Sequence, residues 1–263
     1  MTLSIKLLQE NNTLMITIGT KIKLLIFLTI SLLLDSLFAE VSQSSTLKEY
    51  EIEYEAKFNG LDVTASYELS RINENVYQEK TSIKHLLGEI NEKAEFSVFR
   101  ESQIKPHSYI VKRALFGSKR QESIDFLWDQ NILVYNKRNN PKKTLPITTD
   151  IYDPTTAKIQ LRLDLKKGKN DFSYKVMSKG KTKTYEYKIL ESEVLMTPMG
   201  PLNAIKVQRM QKEKKNRDTI FWLARDWDYV LIKLSHREKN ETYTLEIMSG
   251  SVSDEIITPI NNS

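Results

Sequence analysis

The chain has 263 residues, no cysteine and a formal net charge of +5, with 28% charged and 40% hydrophobic residues. The lack of cysteine excludes disulfide frameworks, thiolate metal sites, catalytic cysteines and lipid attachment through an N-terminal cysteine. The proportions are those of a soluble globular protein, and with eight glycines and seven prolines no stretch indicates a long flexible linker.

The N-terminal segment has the pattern of a secretory signal peptide. Lys21 and Lys23 precede the apolar run Leu24–Leu34, and Ala39 is a small residue at the expected cleavage position. The run is shorter than the roughly 20 residues that cross a bilayer. Leu37 is large where a small residue is usual, so an uncleaved inner-membrane anchor is the alternative, although cleavage is favoured.

The chain is therefore divided into four predicted parts. Residues 1–39 form the signal peptide, with Met15 as a second candidate start, and residues 40–47 form a short lead. A β domain follows over 48–250, and 251–263 form a C-terminal tail. Export without cysteine suits a Gram-negative periplasm, which is the predicted location.

The first segment after the lead predicts a half-buried antiparallel strand. Tyr50–Phe58 alternates apolar and charged residues without interruption, and Asn59-Gly60 is a strong hairpin turn signal. Similar segments recur along the chain, joined by short polar turns. About a dozen strands are predicted, in an antiparallel meander.

One segment predicts a helix. Asp153 is a candidate N-cap, Pro154 suits the first helical position and Gly168 a terminator. The alternation of apolar residues over 159–165 would equally fit a strand, but the ends favour a helix. Such a helix is apolar on two sides and must be covered on two sides. We therefore predict a mainly β fold: a single large antiparallel sheet, strongly curved or forming an open barrel, with one principal α-helix near 154–167.

Four segments in this order resemble the bacterial envelope family called domain of unknown function 3108: YEIEYEAKFNGLDVTASYEL, YDPTTAKIQLRLDLKKG, TPMGPLNAIKVQR and FWLARDWDYVLIKL. The resemblance covers roughly Lys48 to Ser249. Trp222, Ala224 and Tyr229 match its Trp-x-Ala and Tyr-led strands, whereas Leu231 stands where the family usually has proline. The resemblance implies an exported, largely β protein and assigns no catalytic residue.

The last of these segments holds the candidate ligand-binding residues Trp222, Trp227 and Tyr229. Aromatic side chains at a strand end can form a stacking platform for a sugar or an apolar ligand. The alternative, which we favour, is a pair of structural aromatic residues at a hairpin. In that interpretation Asp226 and Asp228 occupy the turn and bond local backbone amides.

No sequence pattern indicates catalysis, a metal site or a cofactor site. His85, His107 and His236 are far apart and form no ligand-spaced motif. The chain has neither a nucleophile-elbow motif nor a glycine-rich phosphate loop. No catalytic, metal or cofactor residues are therefore predicted, and a non-enzymatic role is favoured while enzymatic activity stays open.

Basic residues cluster at predicted turns and at the helix end. Such clusters usually form solvated loop tips, and contact with an anionic membrane surface is the alternative. An exported protein meets little nucleic acid, so no nucleic-acid partner is predicted. The clusters are Lys137–Arg138 with Lys142–Lys143, Lys166–Lys169, Lys179–Lys183 and Lys212–Arg217.

Three functions remain open at this point. The first is a non-enzymatic periplasmic protein that holds an apolar or lipid-like ligand between sheet and helix. The second is an interaction module of an envelope assembly that docks through a sheet edge or an aromatic patch. The third is an enzyme acting on an envelope polymer. The interior discriminates among them, since it would be an apolar cavity, a filled core or a polar cleft respectively.

Overall fold

The computed structural model describes residues 47–58, 61–99, 102–147, 150–210, 217–239 and 241–260. The predicted signal peptide, the candidate start Met15 and the Asn59-Gly60 turn lie outside these residues. The strands are β1 (Tyr50–Phe58), β2 (Leu61–Asn73), β3 (Val76–His85), β4 (Gly88–Phe99), β5 (Gln103–Leu115), β6 (Ser118–Leu127), β7 (Ile132–Lys137), β8 (Lys143–Pro146), β9 (Phe172–Ser178), β10 (Lys181–Thr197), β11 (Gly200–Met210), β12 (Arg217–Ala224), β13 (Val230–Glu238), β14 (Glu241–Val252) and β15 (Glu255–Ile256).

All of these strands belong to one antiparallel sheet. Its order is β8-β7-β6-β5-β4-β3-β2-β1-β14-β13-β12-β11-β10-β9, with β15 paired to β14. The sheet has two halves, β1–β8 and β9–β14, and each is a meander of sequential strands. They join where β1 pairs with β14, and Tyr50 lies opposite Val252 in this pair. The sheet is not closed. The predicted single antiparallel sheet is confirmed, with fifteen strands where about a dozen were expected.

The helix α1 (Pro154–Lys166) lies within 154–167, as predicted. Asp153 is its N-cap and forms a capping box with Thr156. Gly168 follows with φ 70°, and its N–H donates to Leu165 O at 2.9 Å. The local start and stop signals therefore decide against the strand that the alternating apolar residues also fitted.

The helix lies in the concavity of the sheet. Its apolar residues pack in one core with residues from both halves of the sheet, among them Phe96 of β4 and Phe221 of β12. This explains its composition, because a helix enclosed by a curved sheet has no solvent-facing side along most of its length. The buried apolar residues are Ala157, Ile159, Leu161, Leu163 and Leu165.

The sheet edges are short or covered. β8 has four residues and contains Pro146. At the other edge, Tyr152 N–H donates to Lys175 O at 2.9 Å and Met177 N–H donates to Tyr152 O at 2.8 Å. Both edges are therefore poor templates for another strand.

Replacing Asp153 with asparagine is expected to flatten the pH dependence of folding. The carboxylate is fully buried and accepts hydrogen bonds from Thr155 N, Thr156 N and Thr156 Oγ1 at 2.8, 3.0 and 2.7 Å. Burial raises its pKa to about 6, against the opposing effect of these bonds. In the unfolded chain this carboxyl has its ordinary, lower pKa, so it loses its proton at a lower pH than in the folded chain. The group therefore stabilises the fold near pH 4, and this contribution is lost as pH rises through about 6.

The measurement is urea unfolding of wild type and Asp153→Asn between pH 4 and 7. Asparagine keeps the N-cap and does not titrate. Between pH 4 and 7, the difference in free energy of unfolding, variant minus wild type, should therefore increase by up to about 3 kcal/mol. Asp226→Asn, at an exposed position, controls for loss of a surface charge. A constant difference between Asp153→Asn and wild type would contradict the prediction.

Candidate functional site

The turn between β12 and β13 anchors the helix. Lys166 Nζ lies 2.6 Å from Asp228 Oδ1, and Arg162 Nη2 lies 3.3 Å from Asp228 Oδ2. Arg162 Nε and Nη2 also donate to Asp228 O at 3.2 and 3.1 Å. The Arg162 and Asp228 side chains are almost completely buried. A charged pair of this kind fixes the position of the helix relative to the sheet.

The backbone of this turn is shaped for the contact. Asp228 and Tyr229 have φ of 52° and 56°, and Tyr229 N–H donates to Ala224 O at 2.9 Å. The sequence predicted that Asp228 would bond local backbone amides, but its carboxylate pairs with Arg162 and Lys166 of the helix. Asp226 accepts from Asn203 Nδ2 at 2.7 Å, so neither carboxylate has the expected local role.

The opposite side of the helix is also held by polar contacts. Gln160 Oε1 accepts from Ile104 N at 2.8 Å, and Gln160 Nε2 donates to Ser102 O at 2.9 Å. Asp164 accepts from Tyr174 Oη at 2.8 Å and from Lys169 Nζ at 2.7 Å. The helix is thus fixed to β5, β9 and the β12–β13 turn, and its polar residues have structural roles.

A small cavity remains between the helix and the sheet. Its volume is about 40 Å³, which is room for a few water molecules and not for an acyl chain. The polar groups on its wall come from both elements. The lining residues are Tyr50, Tyr54, Tyr67, Glu79, Lys158, Ile159, Leu161, Arg162, Tyr187, Phe221, Leu223 and Leu231.

Opposite charges face each other within this cavity, where one carboxylate meets two cations. Glu79 is 2% exposed, and burial raises its pKa while Lys158 and Arg162 oppose the rise. Burial acts to lower the pKa of Lys158, but Glu79, Tyr67 and Glu92 together outweigh it and the net pKa is raised. Among the described residues, Glu79 Oε2 and Arg162 Nη1 are buried without a hydrogen-bond partner. The cluster is suited to hold water beside the helix.

The three sequence-predicted ligand residues are placed against the core. Trp222 is 9% exposed, and its Nε1 donates to Glu193 Oε1 at 2.6 Å. Trp227 and Tyr229 are partly buried and pack on the cluster of residues that encloses the helix. No cavity described here is lined by any of the three. Their contacts fit the structural interpretation.

Trp222 also supports a charged network beside it. Lys206 Nζ and Lys233 Nζ lie 5.5 and 5.6 Å from the centroid of its ring. Lys206 is paired with Glu191 at 2.7 Å and Lys233 with Glu246 at 2.6 Å. The cation–π contacts hold both ammonium groups over the indole, and Lys233 links this network to the groove described next.

A larger groove, the outer groove, follows β14 on the face away from the helix. Tyr54 faces the internal cavity, so Glu55 points to the other face of the sheet. The volume of the groove is about 500 Å³, within the range of pockets that bind drug-sized ligands. Its lining residues are Glu55, Ala56, Asp62, Pro198, Lys233, Thr242, Thr244, Glu246 and Met248.

The outer groove has the length and charge to receive an extended peptide. Its lining includes every second residue of β14 from Thr242 to Met248, a span of roughly 20 Å. Glu55 lies directly opposite Glu246 in the register, an arrangement of like charges that is unfavourable unless cations neutralise it. Lys233 pairs with Glu246, which leaves the exposed carboxylates of Glu55 and Asp62 to set the charge of the groove.

The histidines are in separate environments. His236 Nδ1 is 2.8 Å from Thr219 Oγ1, and His85 Nδ1 accepts from Leu87 N at 3.1 Å. Partial burial lowers the pKa of His107. No group of three or more His, Cys, Asp or Glu side chains that could hold a metal ion occurs in the described part of the chain.

The described residues contain no helix long and apolar enough to cross a bilayer.

Sequence reasoning missed both the outer groove and the Asp228 anchor. The groove combines residues of β1 and β2 with residues of β13 and β14, which are about 180 positions later. Arg162 and Asp228 are 66 positions apart. Neither set has local spacing, so only the strand register reveals them.

Comparison with known proteins places the chain in a family and gives it a fold relative. No curated protein matches it. A solved structure with a similar fold is the β-barrel-like protein of the domain of unknown function DUF1849 from Brucella abortus, with TM-score 0.55 and 10% identity, covering 79% of this chain and 99% of that one. A family model described as protein of unknown function, DUF3108, matches residues 50–248. The chain therefore belongs to the DUF3108 family, as its four ordered segments suggested.

Proposed function

We propose that this protein is a non-enzymatic binding module of the Gram-negative cell envelope, exported to the periplasm, that receives an extended segment of a partner protein in the outer groove. The export proposal is supported by Lys21 and Lys23 before the apolar run Leu24–Leu34 and by Ala39. The observation that carries the binding proposal is the filled interior, because it leaves the outer groove, of about 500 Å³, as the larger of the two spaces described above.

The interior argues against the first of the three functions inferred from the sequence. A carrier needs an apolar space for the ligand, and here the helix occupies the concavity of the sheet. The remaining cavity of about 40 Å³ is lined by Glu79, Lys158 and Arg162 as well as by apolar groups. Burying these charges against an acyl chain would cost several kcal/mol each. The filled core is the outcome that favours an interaction module.

The chemistry of the groove selects the partner segment. The threonines of β14 offer hydroxyl groups to a peptide backbone, and Met248 offers an adaptable apolar surface. The carboxylates of Glu55 and Asp62 favour lysine or arginine side chains on the partner. The proposed occupant is therefore an extended, basic segment of about six residues.

A site-specific photo-crosslinker at Thr242 tests the proposal in intact cells. A benzoylphenylalanine at this exposed groove position should form a defined protein adduct, whereas the same group at Thr144, exposed on β8, should not. Charge reversal by Glu55→Lys together with Asp62→Lys should weaken the adduct about ten-fold. The N-terminus of the crosslinked protein, expected at Glu40, checks export independently.

Two outcomes would overturn the groove proposal. One is an equal adduct at Thr144 and Thr242, which would indicate non-specific proximity. The other is a Thr242 adduct that charge reversal at Glu55 and Asp62 leaves unchanged. A chain that starts before residue 40 and stays in the membrane fraction would overturn the cleavage proposal while leaving the groove proposal intact.

A further inference from the structure

Two hairpin turns lie side by side at one end of the sheet. His85 pairs with Gly88, Gly88 with Leu115, and Leu115 with Ser118. These four residues form one row across the sheet. Residues 86–87 and 116–117 are therefore neighbouring two-residue turns that project from the same end of the sheet. Phe116 N–H donates to Leu87 O at 3.0 Å, which joins the two turns.

These turns present apolar side chains to solvent. Leu86, Leu87 and Phe116 are 82%, 41% and 71% exposed, and together they are called the apolar tip. Single exposed apolar residues are common. Three on two bonded turns form a continuous projection that contributes little to the core.

Phe116 occupies a backbone position that disfavours it. Its φ is 51° and that of Gly117 is 74°, the pattern of a type I′ turn, in which asparagine, aspartate or glycine is preferred at the first position. A bulky residue there is a true outlier. The ring neither relieves the backbone nor fills the core, so it is available for contact with something outside this chain.

Basic residues surround the apolar tip. Lys84, Lys112, Lys119 and Arg120 are exposed, lie within four residues of the two turns and together are called the basic collar. At about 3.4 Å per residue they are within roughly 10–14 Å of the tip along the strands. Within the two hairpins (β3–β6), Glu89 is the one exposed acidic residue in these rows, opposite Lys84. Outside the hairpins, the exposed Glu55 lies opposite Thr64, which pairs with Lys84. The surface of β3–β6 next to the tip therefore carries net positive charge.

We propose that the apolar tip inserts into the interface of an anionic phospholipid bilayer and that the basic collar binds the lipid phosphates. Leucine and phenylalanine side chains partition to the depth at which head groups meet acyl chains. Lysine and arginine near an anionic bilayer each add about ten-fold or less to partitioning. Asp62 of the outer groove precedes Val63, which pairs with His85 beside the tip. The two surfaces are therefore adjacent, but insertion of the tip does not require a partner in the groove.

Vesicle co-sedimentation tests the proposal on protein purified from cells that express the full chain. Wild type should bind vesicles of phosphatidylglycerol and phosphatidylethanolamine, bind pure phosphatidylcholine weakly, and lose binding as salt increases. Phe116→Asn should weaken binding about ten-fold, and Lys119→Gln with Arg120→Gln should weaken it by a similar factor.

Phe116→Asn is a clean test because it should not damage the fold. Asparagine suits the left-handed position, so the variant should unfold at a higher temperature than wild type while binding vesicles less well. Met196→Asn is the matched control, because Met196 is also 71% exposed but lies beside the β10–β11 turn. It should bind vesicles as wild type does.

Several outcomes would overturn the proposal. The proposal is wrong if wild type fails to sediment with anionic vesicles, even if a protein that binds the tip were then found. Equal losses in Phe116→Asn and Met196→Asn would show that the tip has no special role. Binding that is insensitive to lipid charge and to every tip variant would indicate an N-terminal anchor instead.

Discussion

Replacing Asp228 with alanine is expected to lower the free energy of unfolding by about 3–5 kcal/mol, because it leaves Arg162 buried without its anion. Arg162 and Asp228 have side chains that are 6% and 4% exposed. The carboxylate also binds Lys166, but that ammonium group is partly solvated and contributes less. Without the anchor, the C-terminal half of the helix should lose its fixed position, although its apolar side chains still favour burial.

The measurement is urea unfolding followed by circular dichroism, with two comparison variants. Asp228→Asn keeps a side chain that tolerates the left-handed backbone, so its difference from Asp228→Ala isolates the backbone contribution. Asp226→Ala removes a carboxylate from the same turn, where it is exposed and bonds only Asn203 among the contacts described here. It should cost less than about 1 kcal/mol.

A double-mutant cycle with Arg162→Met then isolates the pair. If Asp228 acts through Arg162, removing both should cost less than the sum of the single changes, by about 1–3 kcal/mol. Additive losses would show that Asp228 stabilises the turn and not the helix. Equal losses in Asp226→Ala and Asp228→Ala would likewise contradict an anchoring role.

The helix shows what the sequence determines locally. Asp153, Pro154 and Gly168 set its ends through capping, ring geometry and a positive φ, and each acts within four residues. Its two apolar stripes also indicated that something must cover both sides. Those stripes could not identify which strands pack on the helix, because the strands that enclose it come from both ends of the β domain.

The candidate sites could not be predicted from local sequence patterns either, because their residues also come from distant parts of the chain. The tryptophans attracted attention because their residue type is rare, yet Trp222 is held by Glu193 and two lysines and lines no described cavity. The outer groove exists only where β1 pairs with β14. That pairing joins the two ends of the β domain, and no spacing within either strand predicts it.

The basic clusters show the same limit for surfaces. Each was interpreted separately, as a solvated loop tip. The fold places the Lys179-Gly180 turn against Tyr135, since a Cβ on Gly180 would lie 2.8 Å from that ring, and Tyr135 pairs with Lys143 of β8. Clusters far apart in sequence thus share one end of the sheet, where their charges add.

Replacing Gly88 with alanine is the second large expected effect, and should cost about 3 kcal/mol or more. A Cβ at this position would lie 1.8 Å from Ala114 O and 2.9 Å from Leu115 Cα. These are backbone atoms of the adjacent strand, so no side-chain rotation can relieve the overlap. The φ of 140° adds strain of its own, because side chains other than hydrogen disfavour this region.

The change should also separate the two turns of the apolar tip. Accommodating the new methyl group requires β4 to move away from β5, which breaks the bond from Phe116 N to Leu87 O and weakens vesicle binding in molecules that still fold. Gly117→Ala is the matched control: its φ of 74° is also positive, but nothing lies within 4 Å of the added Cβ. It should cost about 1–2 kcal/mol from the backbone alone. If thermal and urea unfolding showed equal losses for both variants, close packing at Gly88 would not be what holds the turns together, and the bonded tip would lose its structural support.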